Sequence, residues 1–240
     1  MRATYTGELA DGIRQGRGTL VFTNGDKYEG EFASGFRHGH GVFTSERGTR
    51  VFDGEWKRSE RHGTGKERWL RSGNRYEGEY EADAFHGKGV LIRGCSKYDG
   101  EFRRGLKHGF GRIEFTSRKA PGLDLKAATT AAAVAKGGSD MGLSSYVGSW
   151  REGRMHGDGK YTRADGSFYE GAWVDGLCHG FGKEVMAQTG EVYEGGWCKG
   201  VRHGEGNITR SGKRRKGIWE MGRRAKWTTA EVPVLNKGGA

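Results

Sequence analysis

Apolar and polar residues alternate along short segments through most of the chain. In the stretch YEGEF, Tyr28, Gly30 and Phe32 occupy alternate positions, and Glu29 and Glu31 lie between them. A period of two predicts a β-strand with one apolar face and one polar face. A second alternating segment follows after a glycine, and such a pair of segments predicts a β-hairpin.

The hairpin pattern recurs eight times with a nearly constant period. Each repeat begins with an aromatic residue two positions before a glycine, and successive repeats are 22 to 24 residues apart except for one interval of 48 residues. Counted from this aromatic residue as position 0, the repeats begin at Tyr5, Tyr28, Phe52, Tyr76, Tyr98, Tyr146, Tyr169 and Tyr193. A ninth, partial repeat around Trp219 lacks the leading tyrosine. Tandem hairpins predict an all-β fold, an elongated single-layer antiparallel sheet that is curved or trough-shaped and grows by two strands per repeat.

Glycine occupies 46 of the 240 positions, and its placement within the repeat is regular. Most repeats have glycine at +2, an aromatic residue at +4, glycine at +7 and His-Gly-x-Gly from +10 to +13. The glycines at +2 and +13 share the face of the aromatic residues, so we expect them to leave room for a ring to lie flat across the strand. Ser59 and Asp83 replace the +7 glycine in repeats 3 and 4, which predicts different hairpin turns there.

This pattern resembles the MORN repeat, which reads Tyr-Glu-Gly-x-aromatic, glycine at +7, a basic or polar residue and then His-Gly-x-Gly. The segments YEGEFASGFRHGHGVF and YEGAWVDGLCHGFG match nearly every position, and the resemblance extends from Tyr5 to about Trp227 except for one insert. The resemblance implies a β-hairpin array that acts in protein assembly, in ciliary and basal-body structures, in membrane-associated cytoskeleton or at membrane junctions.

The repeats divide the chain into four predicted segments. Repeats 1 to 5 occupy residues 5–115, an Ala/Gly-rich insert occupies 116–145, repeats 6 to 8 with the degenerate terminal repeat occupy 146–227, and a C-terminal tail occupies 228–240. For the insert, the sequence leaves open a flexible loop or a short helix that docks on the sheet or is ordered by a partner.

The first-strand aromatic residues at +4 have two interpretations. They either pack within the sheet or form a partner-binding stripe, because a single-layer sheet has no second layer to cover its apolar face. In the second case, an extended or helical segment of a partner would dock against these rings. The candidate stripe comprises Phe32, Trp56, Tyr80, Phe102, Trp150, Trp173 and Trp197.

The net charge of +11 is concentrated near the C-terminus. This basic end is a solvated cap, a contact for an acidic protein surface such as a tubulin tail, a contact for anionic lipid, or a nucleic-acid or nuclear-import signal. The residues predicted to contact an acidic partner or lipid are Lys213, Arg214, Arg215, Lys216, Arg223 and Arg224.

Seven of the eight histidines occur at +10, which raises the question of a metal site. Equivalent positions of successive hairpins lie about 9 to 10 Å apart, too far to share one ion. We therefore expect the histidines to belong to a turn, with collective pH sensitivity as an alternative. No phosphate-binding loop or nucleophile elbow occurs, so the sequence predicts no enzyme activity, no cofactor and no metal.

The sequence thus predicts a non-enzymatic protein–protein interaction scaffold, a structural component of a cytoskeletal assembly in the axoneme of a cilium or flagellum. The alternative is a peripheral membrane tether that binds anionic phospholipid. The expected partners are other proteins of a multi-subunit assembly, including microtubule-associated ones, with an anionic membrane as the alternative and with no specific nucleic acid and no small-molecule substrate. A cytoplasmic location is expected because the chain has no apolar run that resembles a signal peptide or a membrane span and its three cysteines form no CxxC pair.

Overall fold

The computed structural model describes residues 3–115 and 144–234, and these residues form β-strands and turns without a helix. The predicted all-β fold of tandem antiparallel hairpins is confirmed. The chain divides into two compact bodies, Met1–Gly109 and Phe110–Ala240, which we call the N-terminal body and the C-terminal body.

The N-terminal body contains nine strands and the beginning of a tenth, and each strand pairs antiparallel with the next along the chain. The strands are β1 (Ala3–Ala10), β2 (Ile13–Phe22), β3 (Lys27–Ala33), β4 (Phe36–Thr44), β5 (Arg50–Lys57), β6 (Glu60–Trp69), β7 (Asn74–Glu81), β8 (Ala84–Arg93), β9 (Ser96–Arg103) and β10 (Leu106–Phe115).

The C-terminal body continues from residue 110 of β10, and its hairpins follow the same antiparallel order. Its strands are β11 (Ser144–Arg151), β12 (Arg154–Thr162), β13 (Phe168–Val174), β14 (Leu177–Met186), β15 (Glu191–Cys198), β16 (Val201–Arg210), β17 (Lys213–Glu220), β18 (Arg223–Trp227) and β19 (Val232–Pro233). The partial ninth repeat forms the hairpin β17–β18, and β19 of the tail pairs with the start of β17. The predicted insert lies outside the described residues except for its last two positions, which begin β11.

Each hairpin turns at +6 and +7, where both residues adopt positive φ. In repeat 2 these are Ser34 with φ 50° and Gly35 with φ 82°. Two consecutive positive φ values define the turn whose twist matches that of the flanking strands. Ser59 with φ 71° and Asp83 with φ 65° adopt the same conformation. The prediction that their turns differ is therefore wrong, because each side chain tolerates the left-handed conformation and hydrogen-bonds to the preceding repeat, as described below.

The His-Gly pair lies at a bulge and not at the hairpin turn. In repeat 7, Trp173 (+4) faces Cys178 (+9), whereas Gly171 (+2) faces Gly182 (+13). The second strand therefore has two extra residues between these pairs, and the glycine at +11 adopts positive φ, as Gly180 does with 61°. The expectation of a turn role for the histidines is corrected accordingly: they precede the bulge glycine.

The aromatic rings of position 0 lie flat over glycine, as expected. Tyr28 is fully buried, and a Cβ atom added to Gly41 would lie 2.3 Å from the Tyr28 hydroxyl oxygen and 2.4 Å from Cζ. The hydroxyl donates a hydrogen bond to the Glu31 carbonyl oxygen at 2.9 Å. The same tyrosine contacts Phe32 of its own repeat and Trp56 of the next repeat edge-to-face, each at a centroid distance of 5.2 Å. Neighbouring repeats are thus joined by a zigzag of rings.

Candidate interaction surfaces

The seven residues of the candidate aromatic stripe are all buried. Their exposed fractions are between 2% and 7%, and the rings contact position-0 rings edge-to-face, as Trp173 does with Tyr146 and Tyr169. The packing interpretation therefore describes these side chains, which offer a partner little surface in this arrangement. Docking of a partner against the stripe stays a prediction. The buried residues are Phe32, Trp56, Tyr80, Phe102, Trp150, Trp173 and Trp197.

Each tryptophan of the stripe also hydrogen-bonds to a glycine carbonyl on the adjacent strand. Trp56 Nε1 donates to the Gly41 oxygen at 3.0 Å, and Trp173 Nε1 donates to the Gly159 oxygen at 3.0 Å. A buried indole N–H without a partner would be costly, so these bonds fix the ring orientation within the body.

The side chains at +9 cover the aromatic face, a role that sequence reasoning missed. The Arg37 guanidinium carbon lies 4.1 Å from the Trp56 ring centroid, and Phe85 stacks on Tyr76 at 3.8 Å. Cys178 at the same position is fully buried. A thin second layer therefore lies over the rings. The sequence contains a signal for this role, because a hairpin turn at +6 and +7 pairs +9 with +4 and so places both side chains on the aromatic face.

Burial also shifts the proton affinity of two groups in this layer. It lowers the pKa of Lys107 to about 8, with a smaller contribution from the nearby charge of Arg93. It raises the pKa of the Cys178 thiol to about 12, with the Glu184 charge as a further cause. The Cys178 thiol is therefore protonated at neutral pH, which makes it a poor nucleophile.

The non-glycine residues at +7 hold the arginine of the preceding repeat. Asp83 accepts hydrogen bonds from Arg61 N at 3.1 Å and from Arg61 Nε at 2.9 Å. The Ser59 hydroxyl oxygen accepts a bond from Arg37 N at 3.1 Å, and the Ser59 carbonyl oxygen accepts one from Arg37 Nη2 at 2.7 Å. These contacts explain why repeats 3 and 4 keep the common turn without glycine.

The aromatic face also contains buried carboxylates at +15. Glu67 is 1% exposed and accepts hydrogen bonds from Arg50 Nε and from Arg61 Nη1, the latter at 3.0 Å. Glu184 is 8% exposed and accepts bonds from Arg202 Nη2 at 2.9 Å and from Arg163 Nη2 at 3.2 Å. Since each carboxylate is matched by two arginines, these clusters are structural ion pairs.

The glutamates at +3 on the polar face close the bulge. Glu31 accepts a hydrogen bond from His40 N at 3.2 Å, and Glu55 accepts one from Thr64 N at 2.9 Å. Hydrogen bonds from the Thr64 hydroxyl and amide lower the pKa of Glu55. Repeats 1 and 4 contain the same bond, from Arg17 N and Lys88 N respectively. In the C-terminal body the +3 residues are Ser149, Ala172 and Gly196.

The repeats match a known protein family. A family model described as the MORN repeat matches eight segments, which together cover more than half of the chain: residues 5–27, 28–50, 52–69, 76–94, 98–118, 146–168, 169–188 and 193–211. The chain belongs to the MORN repeat family. MORN repeats are in general modules that interact with proteins or membranes. A search of curated proteins gave no match.

Two histidines of the MORN motif bond to the turn of the next repeat. The Nδ1 atom of His156 accepts a hydrogen bond from Asp175 N at 3.5 Å, and that of His203 accepts one from Met221 N at 3.4 Å. Within residues 3–115 and 144–234, no three His, Cys, Asp or Glu side chains are grouped closely enough to hold a metal ion.

The six predicted basic contacts lie on β17 and β18 of the terminal hairpin and separate onto two faces. The guanidinium carbons of Arg215 and Arg224 each lie 4.5 Å from the Trp227 ring centroid. On the other face, Arg214 pairs with Glu194 at 3.3 Å, and Lys216 pairs with Glu205 at 2.7 Å.

The remaining members of the basic set are exposed. Lys213 pairs with Glu231 at 3.5 Å, and Arg223 lies at the turn of the hairpin. The structure therefore brings Arg215 and Arg224 together, whereas three of the other cations are paired with acids of this chain. No helix among the described residues is long and apolar enough to cross a membrane.

Proposed function

We propose that this MORN protein is a non-enzymatic protein–protein interaction scaffold, a structural component of a cytoskeletal assembly in the axoneme of a cilium or flagellum. The observation that carries the proposal is the tandem repetition of one hairpin whose large rings pack on the neighbouring repeats. Side chains on the polar face then recur at intervals of about 9 to 10 Å, two strand spacings. Such a regular surface suits a partner that is itself extended. The axonemal location rests on the resemblance described above.

The location is tested with a tagged full-length chain expressed in ciliated cells. We expect the protein to remain with the axoneme after detergent extraction and to be released by salt together with its protein partners. Complete extraction by detergent, without enrichment in the axonemal fraction, would contradict the proposal.

A second candidate function is that of a peripheral membrane tether, and it is favoured by two exposed cations of the terminal hairpin. Arg223 and Lys226 have no carboxylate within ion-pair distance in the described part of the chain, unlike Lys213, Arg214 and Lys216. Unpaired surface cations attract anionic lipid headgroups.

Flotation with vesicles that contain phosphatidylserine separates the two candidates. If the tether exists, the wild-type chain floats with the vesicles and the variant R223Q/K226Q does not. The control K27Q/K66Q removes the same charge from two exposed lysines that are each paired with a glutamate. Absence of flotation for the wild-type chain, or equal flotation of both variants, would reject the tether.

A further inference from the structure

The side chain at +12 on the polar face differs systematically between the two bodies. In repeats 1 to 4 and 6 to 8, the +12 residue lies directly opposite the +3 residue of the next repeat. In the N-terminal body, Arg17 faces Glu31 and Lys88 faces Glu101, so that each cation has an acid of the same chain across from it. The complete +12 row is Arg17, His40, Thr64 and Lys88 in the N-terminal body and Phe110, Asp158, Phe181 and Glu205 in the C-terminal body.

In the C-terminal body the +12 residues do not face opposite charges. Asp158 faces Ala172, and Phe181 faces Gly196. Asp158 is exposed and has no cation within ion-pair distance among the described residues. The change is therefore not a simple exchange of charges between the two positions. The acid Asp158 occupies +12, and Ala172 opposite it carries no compensating charge.

Phe181 is 69% exposed, in contrast to the buried rings of the aromatic face. Ala172 and Gly196 on the two adjacent strands have too little bulk to cover the ring. The glutamate that would fold over the bulge is also missing in this repeat. A Cβ atom added to Gly39 of repeat 2 would lie 2.3 Å from Glu31 Oε2, whereas one added to Gly180 would meet only the Ala172 Cβ atom, at 3.4 Å. The Phe181 ring is therefore left uncovered on the polar face.

These groups favour a basic partner over an acidic one. Asp158 and Phe181 lie two strands apart, about 9 to 10 Å. A guanidinium group can stack on an exposed ring and pair with a carboxylate, and arginine does both better than lysine. An extended segment in the polyproline II conformation advances about 3.1 Å per residue with three residues per turn, so arginines three residues apart point to the same side and would reach both groups. The protein as a whole is strongly basic, so a basic segment would be attracted here only by a local arrangement of this kind.

We propose that the polar face of the C-terminal body docks an extended, arginine-containing segment of a partner protein, with one arginine stacked on Phe181 and another paired with Asp158. This inference rests on the proposed scaffold function and names the chemistry of one partner. Glu205, which already pairs with Lys216 at 2.7 Å, lies two strands beyond Phe181 and marks the far end of the docking surface.

The test is an NMR titration of the full chain with a synthetic twelve-residue peptide that has arginine at every third position and serine elsewhere. We expect saturable shifts of the Asp158, Phe181 and Gly196 amides. A peptide with glutamate in place of arginine should not shift them. The variants D158N and F181S should each weaken binding about two- to fivefold, because exposed ion pairs and exposed cation–π contacts are each worth less than about 1 kcal/mol.

The controls E77Q and F36S make the same changes at an exposed carboxylate and an exposed ring of the N-terminal body. They should bind the peptide as the wild-type chain does. Shifts confined to other residues, no binding at millimolar peptide, or equal affinity of D158N, F181S and the controls would overturn the inference. Such a result would leave the axonemal location untouched, because that location is measured without this peptide.

Discussion

The glycine at +13 is predicted to be indispensable because the ring of position 0 occupies the space of a side chain. In repeat 2 the change Gly41→Ala places a Cβ atom 2.3 to 2.5 Å from three atoms of the Tyr28 side chain, the hydroxyl oxygen and two ring carbons. Carbon atoms in contact normally lie about 3.5 to 4.0 Å apart, so the ring must move by more than 1 Å. Tyr28 is fully buried and contacts Phe32 and Trp56 edge-to-face, so a shift of its ring displaces these neighbours.

The magnitude follows from what the displaced ring loses. The Tyr28 hydroxyl donates to the Glu31 carbonyl at 2.9 Å and, at the longer distance of 3.5 Å, to the His38 carbonyl, and the shorter bond is worth about 1 kcal/mol. Its ring makes two edge-to-face contacts, worth about 0.5 to 1.5 kcal/mol each beyond their buried area. Partial exposure of a ring that buries about 150 to 250 Å² adds a further cost at about 25 cal/mol per Å². Because the sheet can relax, we expect Gly41→Ala to destabilise the chain by about 2 to 4 kcal/mol.

Urea unfolding followed by tryptophan fluorescence measures this effect, with Gly48→Ala as the control. Gly48 has φ 61°, and a Cβ atom added there would have no atom within 4 Å. Gly48→Ala should therefore lower the free energy of unfolding by only about 1 kcal/mol, the strain of the left-handed conformation. In a Tyr28→Ala background the Gly41→Ala change should add less than about 1 kcal/mol, because the clashing ring is gone. Equal losses for Gly41→Ala and Gly48→Ala, or a Gly41→Ala loss that persists without Tyr28, would refute the reasoning.

Three further predictions concern the contacts around the rings. Trp56→Phe should destabilise the chain by about 1 to 2 kcal/mol in thermal unfolding, because Phe cannot donate a hydrogen bond to the Gly41 carbonyl. Phe occupies +4 in other repeats, so its ring fits the position. An unchanged melting temperature would contradict this role of the indole N–H. Asp83→Gly should change stability by less than about 1 kcal/mol, since relief of the positive φ offsets the lost bonds to Arg61, whereas Asp83→Ala should be the more destabilising change. Lys107→Met should stabilise the chain at pH 7 by about 1 to 2 kcal/mol, because burial disfavours the charged lysine. The gain should shrink as the pH rises from 8 toward 10.5, because the unfolded wild-type chain binds more protons than the folded one in that window. A pH-independent difference in the free energy of unfolding would refute the burial argument.

The hairpins could be predicted because their determinants are local. The period of two at Tyr28, Gly30 and Phe32 assigns the aromatic face, and the glycine at +13 leaves the space that the ring fills. The turn prediction at Asp83 was wrong for a physical reason. Glycine is the cheapest residue with positive φ, but a polar side chain can offset the strain with bonds to a neighbouring repeat, here to Arg61. That neighbour is 22 positions away in the sequence.

The register of the bulge was beyond sequence reasoning. In a regular hairpin, paired residues lie equally far from the turn on its two sides. Since +4 pairs with +9, a regular hairpin would therefore pair +2 with +11. The structure places +2 opposite +13, as for Gly171 and Gly182. The two extra residues direct the amide at +12 toward the glutamate at +3, which the alternation alone assigns to solvent. The alternation therefore predicts a polar face but not the contact of these glutamates with the bulge.

The two faces of a repeat are under different physical constraints, and this difference bears on where partner specificity lies. On the aromatic face, Tyr169 and Trp173 are joined to rings of adjacent repeats, so a change there alters the stability of the body. On the polar face, Ala172 replaces the bulge glutamate while the turn and bulge glycines keep the same positive φ. Phe181 can consequently stand exposed without disturbing the zigzag beneath it. Residues at +3 and +12 are therefore free to differ between the two bodies, and the polar face can present different surfaces along a single chain.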